Sequence, residues 1–312
     1  MKNKIIVGVL YGGASCEHEV SKMTAKSILQ NIDRTKFDVL EIFVNKDGNF
    51  DHKDLNKIDI AFLAFHGENY EDGKFQEYLD SRDVKYTGSG AEASQINMDK
   101  DLQKIYFTKT GLKPVEYITI DGDSSISETN ERIIETINYP CFIKPANAGS
   151  SLGISKILNK TDLKKAIVEA SKINTKIIAE NAVDKPRELE VAVLGNNNLI
   201  ISNPGEVLTN GQVYSYEAKY LKPFSTIISP KNLSDNLCQK IRNWAKKAYK
   251  ITGCKGYARV DFFLDKKGEL YINEINTLPG FTLISMFPKL MEATGISYKD
   301  LITKIIELGL EI

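Results

Sequence analysis

The sequence predicts an α/β protein of two or three units, the first of them built on a parallel sheet. Three observations carry this. The first ninety residues alternate apolar runs with helix-like stretches, and continuous apolar strands separated by helices read as a parallel sheet covered on both faces. Polar, glycine-bearing clusters follow those runs, at the carboxyl ends where such sheets bind ligands. The length of 312 residues corresponds to about two domains at ~150 residues each.

The first run, residues 5–10, enters a Gly12-Gly13 turn. It is too short for a signal peptide core or a membrane span. Ser15 is expected to cap a helix over about 17–30. Strands follow at 37–43 and 58–65, and the segment Tyr86-Thr87-Gly88-Ser89-Gly90 closes a first unit, residues 1–89. A single helix is expected from 93 to about 110. Residues 121–130 are polar and end the next strand. A strand at 139–144 enters the loop 145–153, and 154–157 leaves it, giving a central unit, 90–183. Lys185-Pro186-Arg187 marks the boundary to a third unit, 184–312. Here strands are expected at 188–194 and 199–202, then a polar, tyrosine-bearing segment over 208–230. A helix at about 234–251 carries Leu237, Ile241, Trp244, Ala245 and Ala248 on one stripe. Strands at 257–264 and 269–275 flank the hairpin turn at 265–268.

Lysine plus arginine and aspartate plus glutamate both total 41. The balanced charge argues against a nucleic-acid partner or a polybasic membrane anchor. Cys16, Cys141, Cys238 and Cys254 form no close pair, so reduced thiols and a cytoplasmic location are expected. His18, His52 and His66 lack metal-ligand spacing.

The hairpin carries the strongest chemistry. Arg259 and Asp261 lie on its first strand, and Glu274 and Asn276, two apart on the second, point to one face. Two carboxylates and a carboxamide suit a hard cation such as magnesium, with phosphate oxygens and water completing the shell. The alternative is an exposed polar face paired with Arg259. Pro279-Gly280 directly beyond leaves backbone N–H groups placed to hold an oxyanion. The loop Lys144-Pro145-Ala146-Asn147-Ala148-Gly149-Ser150-Ser151-Leu152-Gly153 combines small residues with a lysine, as a phosphate cradle requires. An ordinary surface hairpin loop would look the same. Met98-Asp99-Lys100 offers a second lysine. No G-x-x-x-x-G-K-[ST] loop occurs, and Gly88-Ser89-Gly90-Ala91-Glu92-Ala93 lacks both a good preceding strand and the acidic residue a dinucleotide site needs.

These pieces, in order, resemble the ATP-grasp superfamily and, within it, the D-alanine–D-alanine ligases. The resemblance spans nearly the whole chain. It rests on Gly12 to Ser21, His66-Gly67 with Glu71-Asp72-Gly73, Tyr86 to Gly90, Met98-Asp99-Lys100, Ile143-Lys144-Pro145 with Gly149-Ser150-Ser151, Tyr216-Glu217-Ala218-Lys219-Tyr220, Gly253 to Gly256 with Arg259 and Asp261, and Asn273 to Thr277 with Pro279-Gly280. It implies an N-terminal parallel-sheet domain and two ATP-clamping domains. It also implies ATP-dependent joining of two D-alanines through a D-alanyl phosphate, for peptidoglycan precursors, in a homodimer. Lys100 and Lys144 would contact the ATP phosphates, with Ser150 and Ser151 closing over them. Glu180 and Val183 would hold the adenine and Glu188 the ribose. Asp261, Glu274 and Asn276 would bind two magnesium ions, or manganese. Glu17 would hold the first D-alanine ammonium, Ser285, beside Met286, the second carboxylate, and Arg259 and the Gly280 N–H the carbonyl oxygen. Lys219 and Tyr220 would belong to a covering loop, with the tyrosine bonded to Ser150, and His66 would lie near the substrates. D-serine or D-lactate as second substrate is the alternative. Tyr70, where the family usually has glycine, Leu152 in place of valine, and Met286 depart from the family pattern.

Overall fold

A computed structural model describes residues 4–208, 225–230 and 232–312. Strand β1 (Ile5–Gly12) lies between β2 (Phe37–Val44) and β3 (Ile60–Leu63), paired in parallel with both. The expected parallel sheet is therefore present. Its core joins Val7, Val9 and Phe62 to residues far along the chain, Phe281, Phe287, Ile302 and Ile305. The last of these come from helix Tyr298–Leu310, which packs on the first sheet.

The second sheet has the order β4 (Tyr117–Asp121), β7 (Lys176–Asn181), β5 (Cys141–Pro145), β6 (Ser155–Ile157), all antiparallel. Helices Ile126–Thr136 and Leu163–Ser171 cover it through Ile133, Leu163 and Ile167. The third runs β11 (Ser225–Ile227), β10 (Gly205–Leu208), β8 (Arg187–Leu194), β12 (Tyr257–Leu264), β13 (Leu270–Asn276), with β9 (Ile200–Ile201) also on β8. Helix Asp235–Ile251 lays Ile241, Ala245 and Ala248 on this sheet, with Leu237 and Trp244 at the margin. Ser234 caps it by accepting the Leu237 N–H.

Several elements differ from expectation. The helix expected from 93 to 110 is two helices, Ala91–Met98 and Lys100–Lys109. Asp99 leaves the helical conformation (ψ 105°) and its carboxylate caps the second by accepting the Asp101 and Leu102 N–H groups, the competition with backbone bonding that makes aspartate favour caps over helix interiors. Part of the polar stretch at 121–130 begins helix Ile126–Thr136, whose buried side joins the polar Thr129 and Asn130 to Ile133 and so shows little apolar pattern. Ser15 does not cap the first helix, His18–Asn31, which starts after Glu17 without a side-chain cap. Its hydroxyl instead donates to the His66 carbonyl at 2.6 Å. No helix among the described residues is long and apolar enough to cross a membrane.

Candidate active site

A cleft of about 700 Å³ opens between the second and third sheets and reaches the carboxyl end of the first. Glu17 reaches it from the β1 loop. Gly12 and Gly13 turn that loop with φ of 94° and 92°. The Glu17 carboxylate lies over the bare Cα of Gly67, where a Cβ would come within 2.8 Å of Oε2. From the opposite wall, Ser150 Oγ donates to Glu17 Oε1 at 2.5 Å. Ser150 and Ser151 both have positive φ, 51° and 58°, a conformation that non-glycine residues hold only where their surroundings impose it.

Lys144 on β5 and Glu180 on β7 form an ion pair inside the cleft. Lys104, from beneath, meets the other Glu180 oxygen at 2.6 Å. Burial works against the Glu180 charge, but the two lysines outweigh it and hold the carboxyl at about 2. Lys100, one turn before Lys104 on the same helix, donates to the Ala148 carbonyl of the phosphate-type loop. Lys100, Lys144, Ser151, Glu180, Val183 and Glu188 all line the cleft.

On the third sheet Asp261 stands opposite Glu274, and Arg259 opposite Asn276. A bulge follows Asp261, so the next rung pairs Phe262 with Ile272. The Arg259 guanidinium meets both Asp261 oxygens, at 2.7 and 2.6 Å, and Glu190 at 3.1 Å. Asn276 donates to Asp261 Oδ2 at 3.0 Å. This face lines the cleft. Arg259 and Asp261 are buried, so it is not the exposed polar surface of the alternative reading. Gly280 also lines the cleft, and among the described residues nothing accepts its N–H. The donor set suits a hard cation. No three His, Cys, Asp or Glu side chains cluster as a metal site among the described residues. A cation between Asp261 and Glu274 would therefore complete its shell with phosphate oxygens and water, as magnesium does.

Residues 106–307 match the family model described as the D-ala D-ala ligase C-terminus, and residues 6–57 that described as the D-ala D-ala ligase N-terminus. The chain belongs to the D-alanine–D-alanine ligase family. A D-alanine–D-alanine ligase of Acetivibrio thermocellus is 38% identical, the match covering 100% of this chain and 97% of that one. The structure of the D-alanine–D-alanine ligase from Coxiella burnetii superposes with a TM-score of 0.88 at 29% identity, covering 99% of this chain and 94% of that one. The VanG D-Ala:D-Ser ligase from Enterococcus faecalis also gives 0.88 at 29% identity, covering 98% and 100%. The fold is thus ATP-grasp, and the family's members are ATP-dependent ligases that form a peptide bond and generally use a divalent metal.

Three of the residues that the D-alanine–D-alanine ligase resemblance singles out lie off the cleft wall. His66 is buried, its Nε2 2.9 Å from Thr24 Oγ1 and its Nδ1 3.6 Å from Glu71 Oε1. Glu71 itself lines the cleft. Ser285 precedes helix Met286–Glu292 and accepts the Thr282 N–H at 3.1 Å. Met286 is buried in the first core. Lys219 and Tyr220 lie outside the described residues. Sequence reasoning missed Glu190 and Lys104. Glu190 had a signal, an acid two residues from Glu188 and therefore on the same face of the strand. Lys104 had none beyond its place one turn after Lys100.

Proposed function

We propose that the chain joins two D-alanine molecules at the expense of ATP, through a D-alanyl phosphate. The observation that carries this is the 2.5 Å contact between Ser150 and Glu17. It puts an ammonium-binding carboxylate and a phosphate-type loop on one cleft, beside the facing carboxylates of Asp261 and Glu274. The three separate sheets support a division into residues 1–89, 90–183 and 184–312.

Glu17 holds the ammonium of the first D-alanine. Lys100 and Lys144 bind the ATP phosphates under the Ser150–Ser151 loop, Glu180 and Val183 border the adenine, and Glu188 reaches the ribose. Asp261, Glu274 and Asn276 hold magnesium, which when bound neutralises phosphate charge. The first D-alanine carboxylate attacks the γ-phosphorus, the bond to ADP breaks, and an acyl phosphate forms. The amine of the second D-alanine attacks the acyl carbon and gives up a proton, and phosphate leaves. Arg259, held by Asp261 and Glu190 at the cleft wall, and the Gly280 N–H meet the tetrahedral oxyanion. A preorganised donor of this kind contributes roughly 3–4 kcal/mol. Ser285 is assigned to the second carboxylate, His66 acts behind Glu71, and Lys219 and Tyr220 belong to the cover that keeps water from the acyl phosphate.

The test is ATP- and magnesium-dependent phosphate release with D-alanine, L-alanine, D-serine, and D-alanine plus D-lactate, with products identified by mass. D-Alanyl-D-alanine formed from D-alanine alone, and nothing from L-alanine, is the expected result. The likeness to a D-Ala:D-Ser ligase gives the D-serine arm its purpose: a mixed dipeptide as main product would move the second substrate to D-serine. No release in any arm would overturn the proposal.

A further inference from the structure

One buried cation has no part in the chemistry above. Lys104 lies behind the cleft wall, its side chain only 2% exposed. Its ammonium meets Glu180 Oε2 at 2.6 Å, while Lys144, on the cleft side, takes Oε1. The two ammonium groups thus take one oxygen each of the same carboxylate, and Glu274 also acts on the Lys104 charge. A buried carboxylate is costly to leave without a counter-charge. If Lys144 were its only partner, moving that ammonium toward a ligand would strand Glu180 in the wall. Lys104 also sits 5.4 Å from the Tyr117 ring centroid, so its position is set by packing as well as by charge. Burial pushes its ammonium toward neutrality, while the Glu180 carboxylate holds it charged and Lys144 opposes that hold.

We propose that Lys104 is a positioning residue for the nucleotide: it keeps Glu180 neutralised from behind, so that Lys144 can pass from that carboxylate to a polyphosphate. The role rests on the nucleotide reading of the cleft given above. Lys104 touches no substrate. It acts through Glu180 on Lys144, and it matters in proportion to the ligand's phosphate charge and not to its base.

The test uses the full chain and competition of ATP, ADP and adenosine against a fluorescent trinitrophenyl nucleotide. In Lys104→Met the affinity for ATP should fall at least about tenfold, adenosine should change less than about twofold, and Lys104→Arg should retain most of the ATP affinity. The KM for ATP should rise while the KM for D-alanine at saturating ATP stays unchanged. Should Lys104→Met fail to fold, the double variant Lys104→Met with Glu180→Gln removes the stranded anion along with its partner. In that background the Lys104 substitution should leave ATP affinity as it is in Glu180→Gln alone. Equal losses for ATP and adenosine, or an undiminished Lys104 effect in the Glu180→Gln background, would overturn the positioning role. Failure of the unsubstituted chain to bind ATP would instead overturn the nucleotide reading, and this role with it.

Discussion

Tyr70 Oη accepts the Ala14 N–H at 3.0 Å across 56 residues of chain, and its ring occupies the space that a side chain on Gly13 would need. A Cβ at Gly13 would lie 2.5 Å from that ring. The ring is also stacked on Phe65 with centroids 4.1 Å apart. The loop that carries Glu17 is thus clamped by the Tyr70 ring. Tyr70→Phe should cost about 1 kcal/mol in urea unfolding, the net value of one hydrogen bond. It should also raise the KM for D-alanine severalfold, leaving that for ATP unchanged. Identical D-alanine kinetics would show that the clamp has no influence on the site.

Gly13→Ala carries two separable costs, a backbone at φ +92° and a collision with Tyr70. The left-handed backbone alone costs an L-residue about 1–2 kcal/mol. In a Tyr70→Gly background the collision disappears and the backbone cost stays. A double-mutant cycle on unfolding free energies should therefore show Gly13→Ala to be milder without the ring.

Arg259→Ala should keep ATP binding, measured by calorimetry with a non-hydrolysable analogue, and cut turnover at least about a hundredfold. Arg259→Lys should recover little, because an ammonium cannot reproduce the planar fork that meets both Asp261 oxygens. Unchanged turnover in Arg259→Ala would remove this residue from the oxyanion site.

The Glu180 carboxyl is held at about 2, below its ordinary 4.5. A depressed carboxyl stabilises the fold above its ordinary value, and that contribution is lost as pH falls through the depressed one. Thermal stability should fall between pH 4.5 and about 2, and Glu180→Gln should flatten this part of the profile. A profile of the same slope in both proteins would separate acid unfolding from this carboxylate.

Burial pushes the Cys141 and Cys254 thiols up to about 11, and both side chains are enclosed. At pH 8 a thiol reagent should modify exposed Cys16 first and half-buried Cys238 more slowly. The other two should react only on unfolding. Mass mapping of the labelled peptides checks the order.

Much of the fold was legible because it was written in short-range pattern. The parallel sheet follows from three apolar runs, and the hairpin that brings Asp261 opposite Glu274 follows from alternation around one turn. What escaped depends on distant partners. Nothing near Lys104 in the chain announces that it will lie against Glu180, since buried charges are set by tertiary pairing. Helix Ile126–Thr136 escaped because its buried side includes the polar Thr129 and Asn130 beside Ile133, and the break at Asp99 because aspartate carries the same letter inside a helix or capping one. Glu17, Ser150 and Arg259 were visible through glycine-rich or paired-residue contexts, whereas the place of Met286 in the core depended on a neighbour, Gly205, more than eighty residues earlier.

The packing of helix Tyr298–Leu310 on the first sheet bears on how the molecule is made. Val7 and Ile302 share one core, so although helix His18–Asn31 packs directly on β1, the first sheet completes its apolar cover only after a helix far downstream has been made. Non-local closure of this kind is slow, and the waiting strands expose surface that can aggregate. Truncation before residue 298 should therefore yield a chain prone to aggregate, whatever the state of its two later sheets, and a nascent chain arrested there should remain open to protease in its first sixty residues.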